Sequence, residues 1–198
     1  CCQNGIMVYR GEKMKKVHSE DEQFGKYKIE NPKRIIIEFV SANPTGPLNV
    51  VSARAAALGD TLATLLEAIG HTVDREFYVN DYGNQVYLLG KSVLARIKEL
   101  QNEEGIFPED GYQGEYIKDI AQDIINNALD EYSQIKDEEE IIHFCSAHAV
   151  AYNVSGQKKD LEQFNVTFKE FFSEKSLHER GFVLDTFSLF ESKSAIYD

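Results

Sequence analysis

The chain has 198 residues, 42% of them hydrophobic, and a net charge of −12 from 21 basic and 33 acidic side chains. That is enough apolar material for one large domain, or a domain with an insertion, and too much for wholesale disorder. The acid excess excludes a general nucleic-acid coat protein, which needs clustered Lys and Arg, although it leaves room for one local basic site. The three cysteines, Cys1, Cys2 and Cys145, have no metal or disulfide spacing and fit a reducing, cytoplasmic compartment. Cys1 and Cys2 are adjacent; two ordinary thiols is the plainer reading of them, a reactive pair the other. No apolar run approaches a membrane span, no signal-peptide pattern is present, and no membrane partner is expected. The chain begins at Cys1, so it reads as a piece of a longer product or as one lacking its first residues.

In chain order, residues 1–28 are polar and without period, and are expected to be a strand end followed by a loop. "RIIIEFV" (Arg34–Val40) is a short continuous apolar run before a turn signal, which suits a strand of a parallel sheet. "SANPTGP" is a loop, with Pro44 and Pro47 lacking N–H donors and Gly46 permitting unusual dihedrals. From Ser52 to Ile69 the pattern is helical. Leu58, Leu62, Leu65, Leu66 and Ile69 lie on one face, Ser52 is the expected N-cap and Gly70 the stop. "TVDREFYVND" (Thr72–Asp81) alternates as a second strand and completes a βαβ unit. Val86–Leu100, Tyr112–Tyr132 and Glu138–Phe164 read as helices, together an insertion over about 84–164. Asn165–Leu177 returns to β character, and the last residues give a helix and the first residues of another strand.

The turn between the first strand and the next helix is the natural ligand site, because a helix N-terminus offers free N–H groups and partial positive charge to an anion. On spacing alone a tight βα connection with no ligand is the plainer reading.

The segment "EFVSANPTGPLNVVSARAAALGDTLATLLEAIGHTVDREFYVNDYGNQV" resembles the start of the catalytic domain of arginyl-tRNA synthetase, a class I aminoacyl-tRNA synthetase. The likeness continues through "SVLARIKEL", "FPEDGYQGEYIKDIA" and "KKDLEQFNVTFKEFFSEKSLHERG", covering roughly residues 27–198. The resemblance implies an α/β, Rossmann-like class I fold, here an incomplete parallel sheet with a helical insertion. It makes residues 27–198 a partial catalytic domain and residues 1–26 an extension, or the remnant of an upstream domain. The reaction it implies is ATP-dependent attachment of arginine to its tRNA through arginyl-adenylate, with Mg²⁺ accompanying the ATP. Carried over by position, Glu38 faces the arginine guanidinium, a planar fork of donors that suits a carboxylate. Ser41 and Asn43 line the amino-acid pocket, and Asp81, Gly83 and Gln85 border it. Pro44, Gly46 and Val51 fall at nucleotide-binding positions. For Glu38 a surface carboxylate, and for Asp81 a turn residue, are the plainer alternatives.

The sequence also departs from the family. Its His-Val-Gly-His signature is here Asn49-Val50-Val51-Ser52. Asn49 and Ser52 stand at the catalytic positions without an imidazole, and Val51 puts a branched side chain where a glycine lets adenine approach. The Lys-Met-Ser-Lys loop and the anticodon-binding domain fall beyond the point matching Asp198. Three readings follow. The chain is the amino-terminal half of a synthetase catalytic domain, inactive alone and binding no ATP or Mg²⁺ tightly; its remainder, or another chain, covers the open sheet edge. Alternatively it is a non-catalytic, synthetase-like binding or regulatory module that keeps an amino-acid pocket or binds a partner through the helical insertion, or a decayed fragment that still folds.

Overall fold

The computed structural model describes residues 2–27 and 29–196, residues 2–10 by backbone alone. Arg34–Glu38 (β1), Thr72–Val79 (β2) and Glu170–Ser173 (β3) form one parallel sheet in the order β1-β2-β3. The β-branched run of β1 suits a pleated surface, and its register sets Glu38 opposite Glu76, which in turn lies opposite Glu170. The first strand stops two residues before its apolar run does. Val40 and Ser41 take positive φ, 66° and 41°, which leaves the extended region and ends the ladder.

Helix α2 (Val50–Ala68) connects β1 to β2, and Gly70, with φ of 102°, follows its C-terminus as expected. The helix sits on the sheet by a face that its leucines do not mark. Its buried residues are Ala56, Gly59 and Ala63, while Leu58, Leu62 and Leu65 are 63%, 51% and 59% exposed. Small side chains let the helix backbone approach the sheet, which turns the leucine stripe outward. At Gly59 a Cβ would overlap the Phe39 ring. Gly59→Ala is therefore expected to cost about 2 kcal/mol by overpacking, read as a lower urea midpoint at unchanged slope. Arg75 on β2 ties the same surfaces together, with Nε 2.8 Å from Asp60 and Nη1 2.7 Å from Glu67 of α2.

Between β2 and β3 run α3 (Asn84–Leu100), α4 (Glu115–Asn127), α5 (Leu129–Gln134) and α6 (Glu138–Gln163). The expected helix over Tyr112–Tyr132 is two helices, because Ala128 leaves helical geometry at φ −135°. Leu89, Val93 and Ile97 of α3, Ile117, Ile120 and Ile124 of α4, and Cys145 and Ala149 of α6 form one core. Burial pushes the Cys145 thiol up to about 12, so it is an inert packing group. A second core, Ala56, Phe77, Val79, Leu161 and Val166, lies between the sheet and its helices. Helix α6, 26 residues long, reaches both cores.

Two further expectations are corrected. The amino-terminal segment is a helix, α1 (Cys2–Glu20), followed by a 3₁₀ turn, Asp21–Gln23. Its Lys, Glu, Met and Gln residues are strong helix formers, Lys16 pairs with Glu20 one turn on, and the polar composition hid this from a search for apolar period. The β character expected over Asn165–Leu177 is confined to the four residues of β3. Two short helices follow, α7 (Lys175–Glu179) and α8 (Phe182–Ser192), and no further strand begins before residue 197. Cys1 lies outside the described residues and Cys2 is described by backbone alone, so the reactive-pair reading of the two falls outside the described side chains. No helix among them is long and apolar enough to cross a membrane.

Candidate functional site

The end of β1 is strained. Val40 is β-branched and still holds a left-handed conformation, which costs of order 1–3 kcal/mol and persists only where the surroundings impose it. The strain folds Ser41 back over the strand end. Its Oγ donates to Glu38 Oε1 at 2.7 Å and accepts the Tyr78 N–H at 3.1 Å. Glu38 itself is exposed, so part of its carboxylate remains available to a ligand. Asn43 Nδ2 donates to Gln85 Oε1 at 2.9 Å, so these two expected pocket residues also meet.

Asp81 is committed to structure. Its two oxygens accept from Ser173 Oγ at 2.6 Å and from the Lys175 N–H at 2.8 Å, which ties the end of β2 to the loop after β3. Gly83, with φ of 91°, is the N-cap of α3. Tyr78 was not anticipated. It projects from β2 beside Phe172, with ring centroids 6.1 Å apart. Burial, then the carboxylates of Glu174, Asp81 and Glu38, raise its phenol above the ordinary tyrosine range and keep it neutral. The strand ends therefore present a neutral phenol in a field of carboxylates, which favours a cationic ligand.

The loop that follows is held by its carbonyls. Asn153 Nδ2 donates to Pro44 O at 2.8 Å, Gln157 Nε2 to Asn43 O at 3.1 Å and to Gly46 O at 2.9 Å, and Tyr116 Oη to Thr45 O at 2.7 Å. Pro44, Asn153 and Gln157 are buried, and a Cβ on Gly46 would lie 3.2 Å from the Tyr116 hydroxyl. Four successive carbonyls thus take their donors from the helices between β2 and β3. The sequence did carry a trace of this: Cys145, Ala149, Asn153, Gln157 and Leu161 form an i, i+4 stripe whose two amides interrupt an otherwise apolar row. Two polar residues inside a buried stripe mark a specific partner.

At the start of α2 the N-cap is Asn49, not Ser52. Asn49 Oδ1 accepts the Val51 N–H at 2.9 Å and the Ser52 N–H at 3.1 Å, and the Asn49 N–H reaches Ser52 Oγ at 3.5 Å. Sequence reasoning placed the cap at the last residue of the tetrad because its serine precedes the periodic leucines. Asn ranks with Ser as a cap, and three residues earlier it closes a reciprocal capping box. Two of the donors that a helix N-terminus would offer a phosphate, the Val51 and Ser52 N–H groups, are therefore spent within the chain. Val51 is 69% exposed over that turn. The arrangement does not fit a triphosphate. No group of three His, Cys, Asp or Glu side chains among the described residues is placed to hold a metal.

An open cavity of about 1160 Å³ lies beside this site, walled by α3, α6 and the ends of β2 and β3. Asp81 lines it, but Glu38, Ser41, Asn43 and the first turn of α2 do not.

Residues 13–187 match the catalytic domain of class I tRNA synthetases (R). An arginine–tRNA ligase of Leptospira biflexa is 51% identical over 177 residues, 78% of this chain and 30% of its own length. One from Leptospira interrogans is 47% identical over 193 residues, 86% of this chain and 33% of its own length. Among solved structures, an arginyl-tRNA synthetase from Campylobacter jejuni aligns over 94% of this chain and 40% of its own, with TM-score 0.80 and 34% identity. The Thermus thermophilus arginyl-tRNA synthetase, at 20% identity and TM-score 0.55, shares the fold. The chain thus spans about a third of the length of the curated relatives it matches. With its parallel sheet, its strained βα turn and these relatives, the chain belongs to the class I arginyl-tRNA synthetase catalytic-domain family.

Proposed function

We propose that the chain is the arginine-selecting part of a synthetase catalytic domain whose nucleotide seat is closed. The family reaction attaches arginine to its tRNA with ATP and Mg²⁺ in the cytoplasm; with the seat closed, this chain would contribute the arginine half of it and not the ATP half. On this reading residues 27–198 are catalytic-domain sequence, with α3–α6 the insertion over about 84–164, and residues 1–26 are an extension that the family match enters at residue 13. The observation that carries the proposal is the contrast between two neighbouring turns. At the end of β1, Glu38, Ser41, Asn43 and Gln85 pair as two polar couples around an exposed carboxylate. Eleven residues after Glu38, Asn49 caps its own helix and uses the donors a nucleotide needs. A carboxylate in a negative field selects a cation, and a planar guanidinium matches it in two hydrogen bonds. ATP, Mg²⁺ and tRNA belong to the family reaction, and Mg²⁺ would be held there through the phosphates. No observation favours a non-catalytic regulatory module.

The test joins this chain to the part of the Leptospira biflexa ligase that it does not match and titrates arginine by calorimetry. Saturable arginine binding is expected, with lysine weaker and ATP silent. Glu38→Gln is expected to weaken arginine by about tenfold or more, since a hydrogen bond to a charged group contributes about 1.5–3 kcal/mol. Equal binding of arginine and lysine, or no effect of Glu38→Gln, would reject the reading.

A further inference from the structure

The cavity of about 1160 Å³ lies off the arginine site, since Glu38, Ser41, Asn43 and Gln85 do not line it. Its volume is just above the roughly 300–1,000 Å³ of small-molecule sites. The floor is apolar and fixed. Val79 and Phe171 contribute to it from the sheet, and Val150 and Val154, one turn apart, from α6. Val79 is buried, and the Phe171 ring stacks on buried Phe77 with centroids 4.8 Å apart. Val150 rests on the helical core and Val154 on the sheet core.

The charged groups of the wall are of two kinds. Asp81 accepts from Ser173 and Lys175, Lys175 Nζ lies 3.6 Å from Glu179, and His143 Nε2 lies 3.7 Å from Glu139. Lys158 differs. No carboxylate lies within ion-pairing distance of it among the described residues, Glu162 one turn on included. Its Nζ instead stands 4.4 Å from the centroid of the Phe171 ring. The ring attracts the ammonium through its quadrupole but leaves its outer side without a counter-charge. Ser155, three residues earlier on the same wall, has a hydroxyl with no hydrogen bond among the described residues. A chain of net charge −12 thus sets one ammonium aside from its own carboxylates, at the edge of an apolar floor.

We propose that this cavity binds an aromatic carboxylate, with the ring system on Val150, Val154 and Phe171 and the carboxylate against Lys158 Nζ and the Ser155 hydroxyl. Two donors on neighbouring turns match the two oxygens of one carboxylate. One unpaired ammonium neutralises a monoanion, whereas a phosphate dianion calls for a second, and Lys175 is already beside Glu179. A flat aromatic body buries the most area against a ring and two valines. The inference stands apart from the arginine reading.

The experiment titrates the ¹⁵N-labelled chain with 2-naphthoate, acetate and 2-naphthylmethylammonium and follows the backbone amides. Saturable shifts are expected at Val150, Val154 and Ser155 with 2-naphthoate, at a Kd of about 1 mM. Acetate, which keeps the charge and loses the ring, is expected to bind at least about thirtyfold more weakly. The naphthyl cation is expected to bind at least about fivefold more weakly. Lys158→Met keeps the apolar stem and is expected to weaken 2-naphthoate by about fivefold, with Lys158→Arg restoring it. Arginine is expected to leave the 2-naphthoate shifts in place. Absence of saturable shifts, equal binding of the naphthyl cation, or full affinity in Lys158→Met overturns the proposal. So does displacement of 2-naphthoate by arginine, or a response centred on residues 38–43, which would assign the ligand to the arginine site. A chain that takes 2-naphthoate as expected but does not bind arginine supports this inference and rejects the arginine reading.

Discussion

Substituting Asn49→His, Val51→Gly and Ser52→His together, in the chain joined to the unmatched part of the Leptospira biflexa ligase, is expected to raise arginine- and tRNA-dependent pyrophosphate exchange by about 10⁴-fold or more. Each preorganised donor to the developing phosphate charge is worth about 10²–10³ in rate, and the triple substitution supplies two. It also frees the Val51 and Ser52 N–H groups, which Asn49 Oδ1 now occupies, and clears the branched side chain from the approach to them. The gain carries a structural cost. Loss of the Asn49 cap and a glycine in the first turn of α2 together remove about 2 kcal/mol. Higher exchange in a less stable protein is the expected pair of results, read by isotope exchange and urea unfolding. A protein that binds arginine but shows no gain would place the block elsewhere than at these three residues.

The second large effect concerns the brace on the loop. Asn153→Ala with Gln157→Ala removes the donors to Asn43 O, Pro44 O and Gly46 O, all held from the buried face of α6. A buried carbonyl such as Pro44 O left without a partner costs about 1–3 kcal/mol and the half-buried Asn43 and Gly46 carbonyls less, so the pair is expected to cost about 3 kcal/mol. That is a large part of the 5–15 kcal/mol that holds a domain together. The loss should be local before it is global. Hydrogen exchange is expected to accelerate first in residues 41–49, while the α3–α4–α6 core keeps its protection. Gln157→Met provides a comparison of similar volume, since it lacks the Nε2 donor without adding a charge and should resemble the alanine at that position. Uniform acceleration across α6 would show the amides to be ordinary packing groups and not the brace of the site.

The parts legible in the sequence were those governed by local rules. The apolar run of β1, the alternation of β2 and the stop at Gly70 each depend on a few neighbouring residues, and the elements begin where those residues place them, although both strands end two residues early. Glu38 and Ser41, and likewise Asn43 and Gln85, were named from a resemblance, and the structure brings each pair into contact. What stayed hidden depended on distance in the chain or on competition between rules. Tyr116, Asn153 and Gln157 serve carbonyls 71 to 114 residues away, so no local pattern reveals their partners. The leucines of α2 obey a helical period, but Ala56, Gly59 and Ala63 allow a closer approach on the other side, and packing distance prevailed over hydrophobicity. The left-handed pair Val40–Ser41 contradicts its own propensities, which is why it marks the site and why sequence rules extended the strand through it.

On the function proposed above, the chemical consequence is a site with its two halves in different conditions. The amino-acid half is assembled by strain at Val40 and Ser41 and braced from α6. The nucleotide half is capped by its own asparagine. The most direct measurement is of the backbone amides of Val51 and Ser52, followed by ¹⁵N-labelled NMR as ATP with Mg²⁺ is added to the chain. If Asn49 closes the helix end, those two resonances stay in place at millimolar nucleotide. A saturable shift of both, with slowed exchange of their protons, would mean that phosphate displaces the asparagine and that the seat is open.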